Sequence, residues 1–301
     1  MKRKVIKQAN QAHTITLPID WVRKHNIDKD SEVDLKEDGK SLIINSENKI
    51  VGGKAKVDVN GFYRLNIYRH LNSLYAKGID EIEIISEEDI SSLLLKYLNQ
   101  TLGYALVEQK DDKYLIKDIG GQSDQDLDEI FKRVFQMILL FYESAIKDIF
   151  GERKETLDGL RARDLEVNKF CLYLQRAINK MSYPDAIKGR ALFTYSYELE
   201  KISDEIQRAW RVSIKQKTKR TEPIKKLTEN SLEGLGKLFE LYYQYSPKKI
   251  EEVYKIREKV RADSLKLTKF DGHTIRFIRH IVKIVEDAAD LSHLTLIINE
   301  K

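Results

Sequence analysis

The sequence predicts a multidomain α+β chain: a short β-rich N-terminal element, a small α/β middle layer, and an all-α bundle that fills the C-terminal part. Apolar residues alternate with period two through residues 1–48, mix both periods over 54–118, and settle into a sustained helical period from Gly121 onward. Only four prolines and fourteen glycines in 301 residues favour long uninterrupted helices over a loop-rich fold. The boundaries implied are 1–48, 54–120 and 122–301, the last divided into halves of about 122–219 and 221–301.

The first element opens with a basic arm and an alternating strand that ends at Leu17 and Pro18. A short amphipathic turn follows from Trp21 to Ile27. After a polar hinge, Val33 and Leu35 face Leu42 and Ile44 across the turn at Glu37, Asp38, Gly39 and Lys40. Some forty residues hold too little apolar area for a monomeric core, and without a cysteine the expected remedy is oligomerisation.

In the middle layer, Val57 and Val59 suggest a strand, and Leu65 to Ala76 a helix stopped by Lys77 and Gly78. Ile79 to Ile85 reads as a strand and Glu87 to Leu102 as a second helix closed by Gly103. Tyr104 to Glu108 and Tyr114 to Ile119 pair as a hairpin over Lys110, Asp111 and Asp112. Gly52, Gly53, Gly120 and Gly121 read as punctuation between segments.

Six helices complete the chain. Ser123 or Asp124 can cap the first, whose stripe of Leu127, Ile130, Phe131, Val134, Phe135, Ile138 and Phe141 runs toward Phe150 and Gly151. The second covers about 154–181 and breaks at Tyr183, Pro184 and Asp185. The third spans about 186–218. Pro223, Pro247 and the pair Asp271 and Gly272 mark the starts of the fourth, fifth and sixth. Short turns make these antiparallel neighbours, in two sets of three.

Composition removes several function classes. Cys171 is the only cysteine, which excludes an internal disulfide and a Cys-rich zinc site. Lys2, Arg3 and Lys4 lead into no apolar run, and no stretch approaches the roughly 18 apolar residues of a membrane span, so the expectation is a cytoplasmic protein without membrane insertion. No phosphate-cradling glycine loop or nucleophile elbow is present, and the protein is expected not to be an enzyme. The net charge of +5 is mild, so nucleic-acid binding must be argued from local clusters.

Two such clusters exist. Lys2, Arg3, Lys4 and Lys7, with Arg23 and Lys24 in the following turn, would double into one positive surface in a two-fold dimer. A second run, Arg211, Lys215, Lys217, Lys219 and Arg220, ends the third bundle helix. It reads as a solvated terminus that complements the helix dipole, or as a surface for an acidic partner or DNA.

The third and sixth helices carry the acids Glu200 and Asp204, and Glu286 and Asp290, each pair one turn apart on one face at equivalent points of the two halves. Like charges so placed favour a cation between them, and bundles build metal sites from inward carboxylates. Arg208, four residues after Asp204, offers a salt bridge instead, whereas residues 284–300 contain no Lys or Arg. His293 shares the face of Glu286 and Asp290 and is a further candidate ligand.

At these motifs the helical part resembles the PhoU family of phosphate uptake regulators, built from two three-helix repeats with an acid-x-x-x-acid motif in each. The resemblance implies bound iron, zinc or magnesium at Glu200, Asp204, Glu286 and Asp290. Asp164 and Asn168 fit the family's second motif in the first repeat, with Asn in place of the second acid. In the second repeat, Lys255 and Ala262 stand four residues after Glu251 and Glu258, which implies a mononuclear or vestigial site.

The first 45 residues, through Thr14 to Pro18, Trp21, Val22, Asp28, Asp30, Ser31 and Val33, resemble the SpoVT/AbrB swapped-hairpin domain. That likeness implies a dimeric N-terminal β-barrel that binds DNA. Arg69 to Ile84 is similar to the α/β segment that joins such domains to PhoU-like bundles in an archaeal regulator type. Together they imply a homodimeric transcriptional regulator of phosphate uptake and homeostasis, sensing through the bundle. The alternative is a PhoU-like adaptor that controls a phosphate transporter or kinase through protein contacts, with the hairpin serving only to dimerise.

Overall fold

The computed structural model of the chain describes residues 2–7, 12–38, 41–46, 53–120, 127–151, 156–180 and 185–300. The chain divides into two compact units, Met1–Ile50 and Val51–Lys301.

The first unit contains β1 (Ile6–Lys7), β2 (His13–Thr14), α1 (Ile19–Lys24), β3 (Asp34–Asp38) and β4 (Ser41–Asn45). β1 pairs β2 antiparallel, with Lys7 opposite His13, and β3 pairs β4, with Leu35 opposite Ile44. These are two separate two-stranded sheets. The β-barrel expected here is therefore not closed by a single chain, because four short strands cannot surround a core. The turn expected at Trp21–Ile27 is a one-turn helix that begins earlier, at Ile19. It ends where Asn26 takes a left-handed φ of 50°. Ser46 Oγ lies 3.1 Å from His25 Nδ1 and ties the end of β4 to the segment after α1.

In the second unit, β5 (Gly53–Asp58), β6 (Ile79–Ile85), β7 (Tyr104–Lys110) and β8 (Lys113–Asp118) form one sheet in the order β5-β6-β8-β7. β5 and β6 are parallel, joined through α2 (Arg64–Lys77), and the other pairs are antiparallel. Gly78 closes α2 at φ 93°. Ile67, Leu71 and Tyr75 of α2 pack with Ile82 and Ile84 of β6 and with Leu94 and Tyr97 of α3 (Ser91–Leu98). The opposite face of the sheet carries the ion pairs Lys54–Glu81, Lys117–Glu81 and Lys56–Glu83. α3 is half the length expected for residues 87–102. The Asp89 carboxylate accepts the Ser91 N–H and hydroxyl, and Ser86 Oγ donates to the Glu88 carbonyl, which hold 86–90 in a turn.

The bundle consists of α4 (Leu127–Phe150), α5 (Leu157–Lys180), α6 (Ala186–Lys215), α7 (Glu222–Tyr243), α8 (Pro247–Leu265) and α9 (Gly272–Asn299). The expected caps Ser123 and Asp124, and the break at Tyr183 and Pro184, lie outside the described residues. Asp185 caps α6 by accepting the Ile187 and Lys188 N–H groups, and Asp271 caps α9 through His273 and Thr274. One continuous core runs through both sets of three helices, from Phe131 and Phe135 to Trp210, Phe277 and Ile284. Gly234 lets α7 approach α9 so closely that a Cβ there would lie 2.6 Å from Val285 Cγ2. No helix among the described residues is long and apolar enough to cross a membrane.

Arg176 of α5 fastens the sheet layer to the bundle. It is 3% exposed, and its guanidinium lies 4.9 Å from the ring centroids of both Tyr75 and Tyr104. It donates to the Tyr75 and Ile79 carbonyls and pairs with Asp80 at 2.6 Å and Asp118 at 2.7 Å. Lys180, one turn on, reaches the same two carboxylates.

Candidate nucleic-acid interface and carboxylate cluster

No described residue of the first unit is buried. Val5, Ile6, Ile15, Ile19, Leu35 and Leu42 are all exposed, Leu35 by 62%. So much apolar surface on so small a unit is the mark of a face that a partner covers. Lys2, Arg3, Lys4 and Lys7 extend along the exposed arm and β1, while Arg23 and Lys24 occupy the last turn of α1. Among the described residues none of these six cations takes part in an ion pair, which leaves their charge available to phosphate.

In the first set of bundle helices, Asp164 of α5 lies near Glu200 and Asp204 of α6. Asp164 of α5 is 4% exposed and accepts Ser203 Oγ at 2.9 Å and Gln207 Nε2 at 2.8 Å from α6. These contacts set α5 against α6 in a register that places Asn168, one turn along, level with Glu200. Burial pushes the Asp164 carboxyl up to about 6 despite the Ser203 hydrogen bond. Burial, with Asp204 and Asp164 adding like charge, pushes Glu200 up to about 7. The Asn168 Oδ1 atom is buried without a hydrogen-bond partner. Asp204 pairs with Arg208, as the i,i+4 spacing allowed, and burial still raises its carboxyl above the ordinary value.

In the second set of helices the acids are dispersed. Glu286 is half-exposed and faces Arg261 of α8 at 3.4 Å, so the cation that residues 284–300 lack comes from a neighbouring helix. Asp287 is held by Lys283 at 2.8 Å. Asp290 and His293 are exposed to solvent. Among the described residues, no three His, Cys, Asp or Glu side chains converge as a metal-holding group. The first repeat offers oxygen donors of the type a hard cation takes, in Glu200, Asp164 and the unpartnered Asn168 oxygen, although both Asp164 oxygens already accept from Ser203 and Gln207. The second-repeat set does not fit a metal.

Two features beside these acids escape the sequence. Glu205, adjacent to Asp204 but buried, lies 2.6 Å from His280 Nδ1 of α9 and also binds Arg208. Burial works against the Glu205 charge, yet the hydrogen bonds from His280 and Arg208 hold its carboxyl below the usual range. This contact joins the two three-helix halves across a separation of 75 residues, and no local pattern announces it. The second is a cavity of about 840 Å³ between the C-terminal end of α4 and the start of α7, lined by Glu143, Lys147, Asp148, Phe150, Lys225 and Leu232. Its lining residues are scattered over two helices with no motif in either.

The family model described as antidote-toxin recognition MazE, bacterial antitoxin, matches residues 8–50. That match fits an SpoVT/AbrB-like domain at the N-terminus, a domain type that is oligomeric and compatible with a DNA-binding regulator. No curated protein matches the chain, and no solved structure does.

Proposed function

We propose that this protein is a homodimeric, non-enzymatic transcriptional regulator of phosphate uptake and homeostasis, acting in the cytoplasm. Two copies of residues 1–48 interlace into a barrel that presents Lys2, Arg3, Lys4, Lys7, Arg23 and Lys24 to DNA, and the PhoU-like bundle carries the phosphate-related signal. The observation that supports this most is the absence of any buried described residue in the first unit, together with its MazE-type match. An uncovered apolar face needs a second copy, and the second copy doubles the cations on one surface.

Phosphate neutralisation of this kind fixes the character of binding. Each cation that displaces a counterion steepens the fall of affinity with salt, by about 0.9 in the log–log slope for duplex DNA. Anisotropy titrations at several salt concentrations test the reading: affinity falls steeply with salt, and replacing Arg3, Lys4 and Arg23 with alanine in both protomers flattens the slope by up to about 5. Absence of salt-dependent affinity in the native protein rejects it, leaving the bundle as an adaptor for a transporter or kinase.

The sensing half of the proposal places one cation, iron, zinc or magnesium, at Glu200 and Asp164, where it would offset the burial and added like charge that raise both carboxyls. Elemental analysis of protein from metal-replete cells tests this. Metal-free protein whose melting temperature is indifferent to all three ions removes the metal from the proposal.

A further inference from the structure

The antiparallel packing of α6 and α9 assembles a cationic surface from two distant stretches of chain. Tyr195 OH meets Thr295 Oγ1 at 3.3 Å, Glu205 meets His280 at 2.6 Å, and the Lys219 N–H donates to Thr274 Oγ1 at 3.0 Å. This register sets Arg211 and Lys215, near the end of α6, level with the first turns of α9, where Arg276 projects. Residues 206–220 contain no Asp or Glu, and neither do residues 272–285. Arg211, Lys215, Lys217, Lys219, Arg220 and Arg276 are all exposed, and none takes part in an ion pair among the described residues.

Elsewhere on the bundle surface several lysines are neutralised by neighbouring acids. Lys237 pairs with Glu240 and Glu252, Lys255 with Glu251, and Lys266 with Asp263. Among the acids near the basic surface, Asp204 and Glu205 are committed to Arg208, and Asp271 to the N–H groups of His273 and Thr274 and the Thr274 hydroxyl, which leaves Glu222 at the start of α7 against five cations in residues 211–220.

The loop between α6 and α7 is also fixed in place. Thr218 is 6% exposed and donates to Ser213 Oγ at 3.0 Å, while the Lys219 amide is held by Thr274. Lys217 adopts a left-handed φ of 51°, a conformation that costs a non-glycine residue and is kept here by those two anchors. The cations therefore stand on a frame tied to α9 and are not a frayed helix end.

We propose that this surface, the end of α6 with the following loop and the first turns of α9, is a second contact to the DNA backbone. Fixed, unneutralised cations drawn from two elements suit an array of phosphates, and they offer no base-reading geometry, so the contact supplies affinity without sequence preference. The inference rests on the DNA-binding reading above and enlarges its contact set.

The test uses the full-length protein and a mixed-sequence DNA duplex. The quadruple variant Arg211→Gln, Lys215→Gln, Lys219→Gln, Arg220→Gln changes only exposed side chains and leaves the left-handed Lys217 in place. A control neutralises Lys237, Lys248, Lys249 and Lys255 in the same way. The expected result is a salt slope shallower by about 2 to 4 for each protomer's surface that reaches the DNA, up to about 7 for both, with affinity at least about tenfold weaker at low salt, and an unchanged slope in the control. An unchanged slope in the first variant, when replacing Arg3, Lys4 and Arg23 does abolish binding, overturns this inference and leaves the N-terminal reading intact. Persistent salt-dependent binding after the N-terminal replacements, erased by adding the four glutamines, supports this surface and rejects the N-terminal arm. Native DNA affinity in the first variant with lost affinity for polyglutamate assigns the surface to an acidic protein and overturns the inference.

Discussion

At the scale of single residues, the acids of the first helical repeat have opposing environments although they lie on facing stretches of α5 and α6. Glu205 keeps its charge because His280 and Arg208 both donate to it. Asp164 is buried and Glu200 partly so, and with like charge nearby they are pushed up to about 6 and about 7. The consequence for stability has a definite sign. Below about pH 4, the ordinary value for an aspartate, the carboxyl is protonated in both the folded and unfolded chain and carries no penalty. As pH rises from there to about 6, the unfolded chain releases the Asp164 proton first and the folded state loses ground. In protein stripped of metal by a chelator, Asp164 alone lowers stability by roughly 3 kcal/mol over this window. Asp164→Asn should flatten that part of a pH series of denaturant melts. A wild-type stability that rises steadily from pH 4 to 7, or a variant with the same profile as wild type, contradicts this account. The sequence exposed the acids and their spacing, but their burial and the donors Ser203 and Gln207 depend on which helices meet.

At the scale of elements, most boundaries were legible because they are set by local chemistry. Gly78, Asp185, Pro223, Pro247 and Asp271 end or begin helices through their own backbone preferences or side-chain caps, whatever the helices later pack against. The helix expected over 87–102 was shortened because Ser86 and Asp89 satisfy backbone groups locally, a competition that apolar periodicity does not register. Contacts between elements were not legible in the same way. Gly234 looks like an unfavourable residue for the middle of a helix, yet it sits where α7 meets Val285 of α9. Gly234→Ala would gain helix propensity but drive its Cβ into Val285. The expected outcome is a net loss of about 1–2 kcal/mol, read from a denaturant melt. Combining it with Val285→Ala, which relieves the clash, should recover part of that loss by comparison with Val285→Ala alone. A stabilised single variant refutes the close approach.

At the scale of the whole chain, the two units differ in self-sufficiency. Residues 51–301 close a sheet core and a bundle core and clamp them together with Arg176, whereas residues 1–50 bury nothing that is described. Replacing Leu35 and Leu42 with lysine should therefore cost little in the monomer and much in a dimer. Each leucine lost from a covered face is worth roughly 1.5–3 kcal/mol. Sedimentation should show the variant shifted toward monomer with its DNA affinity reduced, while the helical melt of the bundle is unchanged. A variant that remains dimeric at the native concentration would show that these leucines are not the covered face.

The sequence by itself determined the order of the segments, the helix starts and stops, the deficit of apolar area in the first forty residues, and the positions of the basic and acidic clusters. All of these follow from composition and from interactions spanning a few residues. Only the tertiary structure decided that Asp164 and Glu200 are desolvated, that Glu286 is answered by Arg261, and that the end of α6 lies beside the first turns of α9. It also joined Glu205 to His280 and Arg176 to Asp80 and Asp118. The physical reason is common to these cases: burial and long-range charge pairing depend on which distant segments become neighbours. Periodicity shows which face of an element turns inward, but not what that face will meet.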